Sequence, residues 1–211
     1  MKELTEETAN KIFDSLGKSI SVFEKHADDC ASYLKALEIM PETDERKTFK
    51  SILRTNLILS YINLDFLTAF RQYLSRELNT NYDKRQAMTK LNIIMCEGYK
   101  KIYGFGQQHN KSFWATQIKN AVDFLKEYNE EYTKIENELT ALNSTNVFDK
   151  NIRNLAVHYD EDPLKVYAML LSINAEEITN RCILFWRVME HISKFVRDIT
   201  CSFELRLKTK C

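Results

Sequence analysis

Residues that break helices are scarce in this chain. Its 211 residues include only two prolines, Pro41 and Pro163, and four glycines. Because proline and glycine interrupt helices more strongly than any other residues, their scarcity favours long helices. Apolar residues recur at the three- and four-residue spacing of a helix face, and no stretch alternates as a half-buried strand would. The sequence therefore predicts an all-α fold.

The apolar pattern and the breakers divide the chain into helical segments. Pro41 ends the first segment, a polar run at 79–81 ends the second, and Gly104 and Gly106 supply the permissive backbone that stops the third. The predicted helices span residues 5–39, 43–78, 82–103, 112–142, 149–160, 163–171 and 175–205. Long helices with short polar connections pack most economically as an up-down antiparallel bundle, here with additional helices.

The length of the chain suits one large domain. With 44% hydrophobic residues it can bury a core without disulfides or a structural metal. We interpret residues 1–211 as a single all-helical domain. Residues 147–207 form its motif-bearing part, and residues 1–40 form an N-terminal helical extension.

Positive and negative charges balance overall but not locally. The formal net charge is zero, so no global field draws the protein to nucleic acid or to a membrane. Residues 81–119 nevertheless carry seven basic side chains against two acidic ones. Such a segment can contact phosphate, whereas a solvated helix face is the more frequent explanation of a charged run. The sequence leaves both open.

The cysteine pattern and the absence of apolar spans indicate a cytoplasmic protein. Five cysteines are widely spread and include no Cys-x-x-Cys pair, so neither a disulfide framework nor a zinc site is indicated. The N-terminal residues are charged and lack the apolar core of a signal peptide. No run approaches the ~20 apolar residues of a membrane helix. We expect a cytoplasmic location, no membrane contact, no cofactor and no metal ion.

One short segment combines side chains suited to phosphate chemistry. Within residues 149–160, the apolar positions share one face of the predicted helix, and Arg153, Asn154 and His158 lie outside that face. Asn154 and His158 are four residues apart and so stack one turn apart. An exposed helix face that merely keeps the protein soluble would also carry these residues, and the spacing alone does not exclude it.

In an all-α bundle this segment resembles the HEPN superfamily, the "higher eukaryotes and prokaryotes nucleotide-binding" domains. Their motif is an arginine and a histidine separated by four to six residues, the first of which is usually polar. Arg153, Asn154 and His158 match all three positions, with four residues between arginine and histidine. The resemblance is specific over residues 147–172 and is one of architecture elsewhere.

The resemblance implies a metal-independent endoribonuclease, acting as a toxin or a phage-defence effector. Two protomers would form a homodimer whose motifs face one cleft, with Arg153, Asn154 and His158 as catalytic residues acting on RNA. Histidine has a pKa near neutrality and can move protons, whereas arginine stays charged and offers a planar fork to phosphate oxygens. Family members are often neutralised by a partner, commonly a nucleotidyltransferase-like antitoxin.

Other functions remain open at this point. A catalytically silent HEPN-like domain would keep the fold and the dimer and serve as a binding or scaffold module. A plain helical interaction protein would carry the motif by coincidence. The segment His191-x-x-Lys194 is similar to the motif of phosphotransfer bundles, but Phe195 stands where glycine is usual, and packing against an apolar stripe is the simpler interpretation.

Overall fold

A computed structural model describes residues 6–75, 80–145, 147–158 and 162–209, excluding the side chains of residues 6–9, 155–158 and 163. All regular structure in these residues is helical, which confirms the predicted fold class. The α-helices are α1 (Glu6–Glu38), α2 (Asp44–Leu74), α3 (Asn81–Ile102), α4 (Lys119–Phe124), α5 (Asn129–Ser144), α6 (Lys150–His158), α7 (Pro163–Ser172) and α8 (Ala175–Lys208).

The three longest helices build the frame of the bundle. A short connection turns α1 back along α2. Polar pairs then show that α2 and α8 are antiparallel: Asn56 lies 3.4 Å from Thr200, and Asn63 lies 3.1 Å from Ser193. Rising numbers on α2 therefore meet falling numbers on α8. This arrangement confirms the predicted helical bundle.

The core between these helices is rich in aromatic rings. Phe66 of α2 packs edge-on against Phe185 of α8, with ring centroids 5.0 Å apart. Trp114, which is fully buried, stacks on Tyr132 of α5 at 4.6 Å. Each such side chain contributes roughly 1.5–3 kcal/mol through removal of apolar surface from water. Leu16 of α1 is also fully buried, so α1 contributes to the same core.

Local signals read from the sequence set several helix ends. Asp162 caps α7 by accepting a hydrogen bond from the backbone N–H of Leu164 at 2.9 Å, and Pro163 follows at the first helical position. Gly104, with φ of 81°, ends α3, and its N–H donates to the carbonyl of Tyr99 at 3.1 Å. A Cβ at Gly104 would come within 2.8 Å of backbone atoms of Gln108, so this turn requires glycine.

The helix predicted over 112–142 is wrong as a continuous element. The segment instead contains a π-helical turn at Trp114–Ile118, then α4, a 3-10 turn at Lys126–Tyr128, and α5. The break falls at Leu125, whose backbone is non-helical (φ −111°, ψ 70°) and whose side chain is fully buried. After it, the Tyr128 hydroxyl lies 2.7 Å from the hydroxyl of Ser202 on α8. Packing against α8 therefore overrides the local helical pattern.

The second helix also ends before its predicted limit. The described part of α2 stops at Leu74, and Ser75 has extended backbone (φ −70°, ψ 151°). Residues 76–78, which the prediction also included, lie outside the described residues. The other helix ends agree with their predicted positions within a few residues.

Candidate functional site

The start of the motif helix α6 is attached to α3 by a buried asparagine. Asn92 of α3 is fully buried, and its amide nitrogen donates to the carbonyl of Asp149 at 2.8 Å. Its amide oxygen accepts from the backbone N–H of Asp149 at 3.1 Å. The side chain of Asn92 therefore bonds to both the N–H and the C=O of Asp149. This pair of bonds fixes where α6 begins.

Asp149 in turn caps α6. Its carboxylate oxygen Oδ1 accepts hydrogen bonds from the N–H groups of Asn151 and Ile152, each at 3.0 Å. A carboxylate at this position satisfies backbone donors that the helix leaves unpaired and interacts favourably with the helix dipole. The N-terminus of α6 is therefore held both by its own cap and by α3.

Over the part of this segment whose side chains are described, the apolar face is buried as the periodicity predicts. Phe148 and Ile152 are buried, and the ring of Phe148 packs against Tyr99 with centroids 4.4 Å apart. Phe105 and Phe185 also contact the Phe148 ring, at 5.6 and 6.2 Å. Packing on this side orients the opposite side of α6 away from the core.

Arg153 projects from that opposite side and is not free. Its Nε donates to Oε1 of Glu97 on α3 at 2.7 Å, and its Nη1 donates to Oδ1 of the adjacent Asn154 at 2.8 Å. The side chain of Arg153 is 24% exposed and that of Glu97 is 46% exposed. The guanidinium is therefore partly shielded and oriented by two neighbours, which leaves it accessible from one side.

A small cavity opens beside these residues. It has a volume of about 190 Å³ and is lined by Cys96, Glu97, Lys100, Phe105, Gln108, Lys150, Arg153 and Asn154. Three of these side chains are basic and one is acidic. Lys150 also lies over the ring of Phe105, with its Nζ 4.3 Å from the centroid. The cavity thus has a local excess of positive charge, although the chain as a whole has none.

The structure brings two of the three predicted catalytic residues together. Arg153 and Asn154 share the cavity and a hydrogen bond. His158 is the last residue of α6, but its side chain lies outside the described residues. The side chains of Leu155 and Ala156, and Tyr159 as a whole, which the sequence assigned to the buried face, lie outside them as well. The placement of His158 relative to Arg153 stays a prediction.

Sequence reasoning missed the two α3 residues that position this site. Asn92 precedes Asp149 by 57 residues, and Glu97 precedes Arg153 by 56. No local spacing in the sequence therefore connects Asn92 or Glu97 to the motif. Lys100 belongs to the basic segment 81–119, and it does line the cavity. The charge asymmetry was the one sequence signal that pointed to this part of α3.

His191, considered above as a phosphotransfer residue, has both ring nitrogens engaged. Its Nδ1 lies 2.8 Å from Oε2 of Glu138, and its Nε2 lies 2.5 Å from Oε1 of Glu131. The hydrogen bond from His191 lowers the pKa of Glu131. This cluster connects α8 to α5, and a histidine held between two carboxylates is poorly placed to attack a phosphorus atom.

Other kinds of site receive no support from the residues described. Within them, no three His, Cys, Asp or Glu side chains converge in a group that could hold a metal ion. Over the same residues, no helix carries an apolar stretch long enough for a membrane crossing. Comparison with protein families, curated proteins and solved structures gave no match.

Proposed function

We propose that this protein is a HEPN-type, metal-independent endoribonuclease that acts as a toxin or a phage-defence effector. One observation carries the proposal: Arg153 and Asn154 of the motif line a cavity together with two further basic side chains, Lys100 and Lys150. A site of this composition suits a phosphodiester, because arginine and lysine donate charge-assisted hydrogen bonds to phosphate oxygens.

The chemistry is an intramolecular transesterification of RNA. A base removes the proton of a ribose 2′-hydroxyl, whose oxygen attacks the adjacent phosphorus. The bond from phosphorus to the 5′-oxygen breaks, and an acid protonates that oxygen, leaving a 2′,3′-cyclic phosphate. His158 acts as the base or the acid, and Arg153 stabilises the charge of the phosphorane. Asn154 binds the substrate or orients the imidazole.

A second protomer supplies the second proton-transfer group. Each chain carries one His158, whereas the reaction needs both a base and an acid, so we place two motifs in one cleft of a homodimer. A nucleotidyltransferase-like antitoxin is the expected inhibitor. The protein acts in the cytoplasm, where its RNA substrates are found.

Glu97 adds a regulatory element to this chemistry. Its carboxylate occupies the Nε side of Arg153, the side that a phosphate oxygen would otherwise use. RNA must therefore either compete with Glu97 or bind the remaining donors of the guanidinium. In both cases Glu97 weakens phosphate binding and holds Arg153 in one orientation.

The test is cleavage of a mixed RNA pool in EDTA. Wild type should cut, and His158→Ala should lose roughly 10²–10⁴ in rate, as expected for a positioned acid or base. Asn154→Ala should also lose activity, whereas Asn151→Ala removes a matched exposed asparagine from the same helix and should not. Full activity of purified His158→Ala would exclude the mechanism.

The alternative is a catalytically silent HEPN-like homodimer that serves as a binding or scaffold module. The zero net charge of the chain favours this alternative, because phosphate contacts supply most nonspecific affinity for RNA. In that case wild type and His158→Ala would be equally inactive, and the folded protein would still form a dimer. Analytical ultracentrifugation of both proteins separates this outcome from loss of folding.

A further inference from the structure

A second cavity lies between α1, α2 and α8, and it is lined by none of the residues of the motif site. Its volume is about 350 Å³, within the range of small-molecule sites. Four of the side chains that line it are positively charged or can become so on protonation. From α1 come Lys18 and His26, and from α8 come Lys194 and Arg197.

The three permanent positive charges of this cavity have no ion-pair partner among the described residues. In the described part of the chain, no carboxylate lies within salt-bridge distance of Lys18, Lys194 or Arg197. Glu190 is the one acidic side chain among the lining residues. By contrast, Arg153, Arg181 and Arg206 all pair with glutamates. Three positively charged side chains and one carboxylate therefore line the cavity.

His26 lines the same cavity and lies close enough to Arg197 for its pKa to respond to that charge. Burial lowers its pKa below the usual 6.5, and the charge of Arg197 lowers it further. Asp29, one turn away on α1, acts in the opposite direction. Lys18 and Lys194 add positive charge from α1 and α8, Glu190 adds negative charge from α8, and α2 contributes the neutral Asn56. His26 therefore lies in a region that disfavours a further positive charge.

The remaining lining residues suit a ligand that has both a charged and an apolar part. The hydroxyls of Ser15 and Ser19 lie one turn apart on α1, and buried Asn56 presents an amide whose nitrogen also donates one hydrogen bond to Thr200 at 3.4 Å. Val22 and Phe23 form an apolar wall beside them. Ser193 is already fixed, since its hydroxyl donates to the carbonyl of Met189 at 2.7 Å and accepts from Asn63 at 3.1 Å. Convergent donors beside an apolar wall are typical of small-molecule sites.

We propose that the cavity between α1, α2 and α8 binds a small phosphate-bearing anion, held by Lys18, Lys194 and Arg197. Arginine and lysine bind phosphate oxygens through charge-assisted hydrogen bonds, and the serine hydroxyls and Asn56 can complete the set. A nonpolar part of the ligand would contact Val22 and Phe23. The site is separate from the motif cavity, so it stands whether or not the protein cuts RNA.

The first experiment titrates the full-length protein with inorganic pyrophosphate, measured by calorimetry and by NMR of the His26 ring. Pyrophosphate should bind saturably, and the pKa of His26 should rise on saturation because a bound anion favours the imidazolium. Arg197→Gln should weaken binding about tenfold or more, the loss expected for a charge-assisted hydrogen bond. Without ligand, Arg197→Gln should itself raise the pKa of His26, which verifies that the two groups face each other.

Matched controls separate the site from general surface charge. Lys18→Gln removes a lining charge, whereas Lys25→Gln removes an exposed lysine of the same helix that does not line the cavity. Only Lys18→Gln should weaken binding. Equal loss in both variants would overturn the proposal, as would the absence of saturable pyrophosphate binding. Saturation by an RNA oligonucleotide, but not by pyrophosphate, would also overturn it and would assign the surface to nucleic acid.

Discussion

Replacing Asn92 by alanine should detach the start of α6 from α3. The wild-type amide makes two hydrogen bonds to the backbone of Asp149, at 2.8 and 3.1 Å, and Asn92 is fully buried. Alanine removes both hydrogen bonds and leaves the Asp149 N–H without a partner, whereas the Asp149 carbonyl keeps its bond from the N–H of Arg153 at 3.1 Å. The orphaned N–H costs about 1–3 kcal/mol and the lost hydrogen bond to the carbonyl costs about 1 kcal/mol, so we expect the free energy of unfolding to fall by roughly 2–4 kcal/mol.

The measurement is urea denaturation together with hydrogen exchange. For a chain of this size, a loss near 3 kcal/mol corresponds to a fall in Tm of roughly 6–12 °C. Exchange should accelerate most at Asp149 and at Arg153, whose N–H donates to the Asp149 carbonyl at 3.1 Å. RNA cleavage, if present in wild type, should fall in parallel, because Arg153 loses its fixed position.

Asn63→Ala is the matched control for this prediction. Asn63 is also a fully buried asparagine, but its Oδ1 has no hydrogen-bond partner among the described residues, and its Nδ2 bonds to Leu59 and Ser193. Its loss should be smaller and should leave exchange at Asp149 unchanged. A loss below about 1 kcal/mol for Asn92→Ala, or unchanged exchange at Asp149, would refute the reasoning.

Two further predictions concern packing and pH. Gly98→Ala should lower the free energy of unfolding by about 1–3 kcal/mol, because the new Cβ would lie 2.8 Å from Cγ2 of Ile62. Gly17→Ala, where the nearest atom is 3.7 Å away in a helix interior, should instead raise Tm, and a destabilised Gly17→Ala would contradict this view of the two sites. The pKa of Glu131 is lowered from 4.5 by its hydrogen bond with His191, so its stabilisation is present above pH 4.5 and is lost as pH falls through the lower folded value. Thermal melts against pH should show Glu131→Gln less stable than wild type above pH 5, by less than ~1 kcal/mol given its exposure, and no different in acid.

The parts of the fold that could be predicted from sequence are those set by local chemistry. Asp162 and Pro163 mark the start of α7, and Gly104 marks the end of α3, since each acts through its own backbone. The break at Leu125 could not be predicted, because it depends on where α8 lies. The helical pattern on both sides of Leu125 does not depend on packing against α8, so it does not predict the break.

The candidate site also has a part that could be predicted from the sequence and a part that could not. The polar face of α6 follows from periodicity, so the sequence alone could place Arg153 and Asn154 together. The orientation of Arg153 could not be predicted, because Glu97 comes from another helix and is 56 residues away. A long-range ion pair leaves no periodic signal in one sequence.

The attachment of α6 to α3 has a consequence for transferring the motif to another protein. A graft of residues 147–207 would carry Arg153 and its helix but would leave behind both Asn92 and Glu97. The transplanted helix would then begin without its anchor, and its arginine would sample many rotamers. The smallest portable unit therefore includes α3, and natural exchange of the motif between bundles would have to carry both helices together.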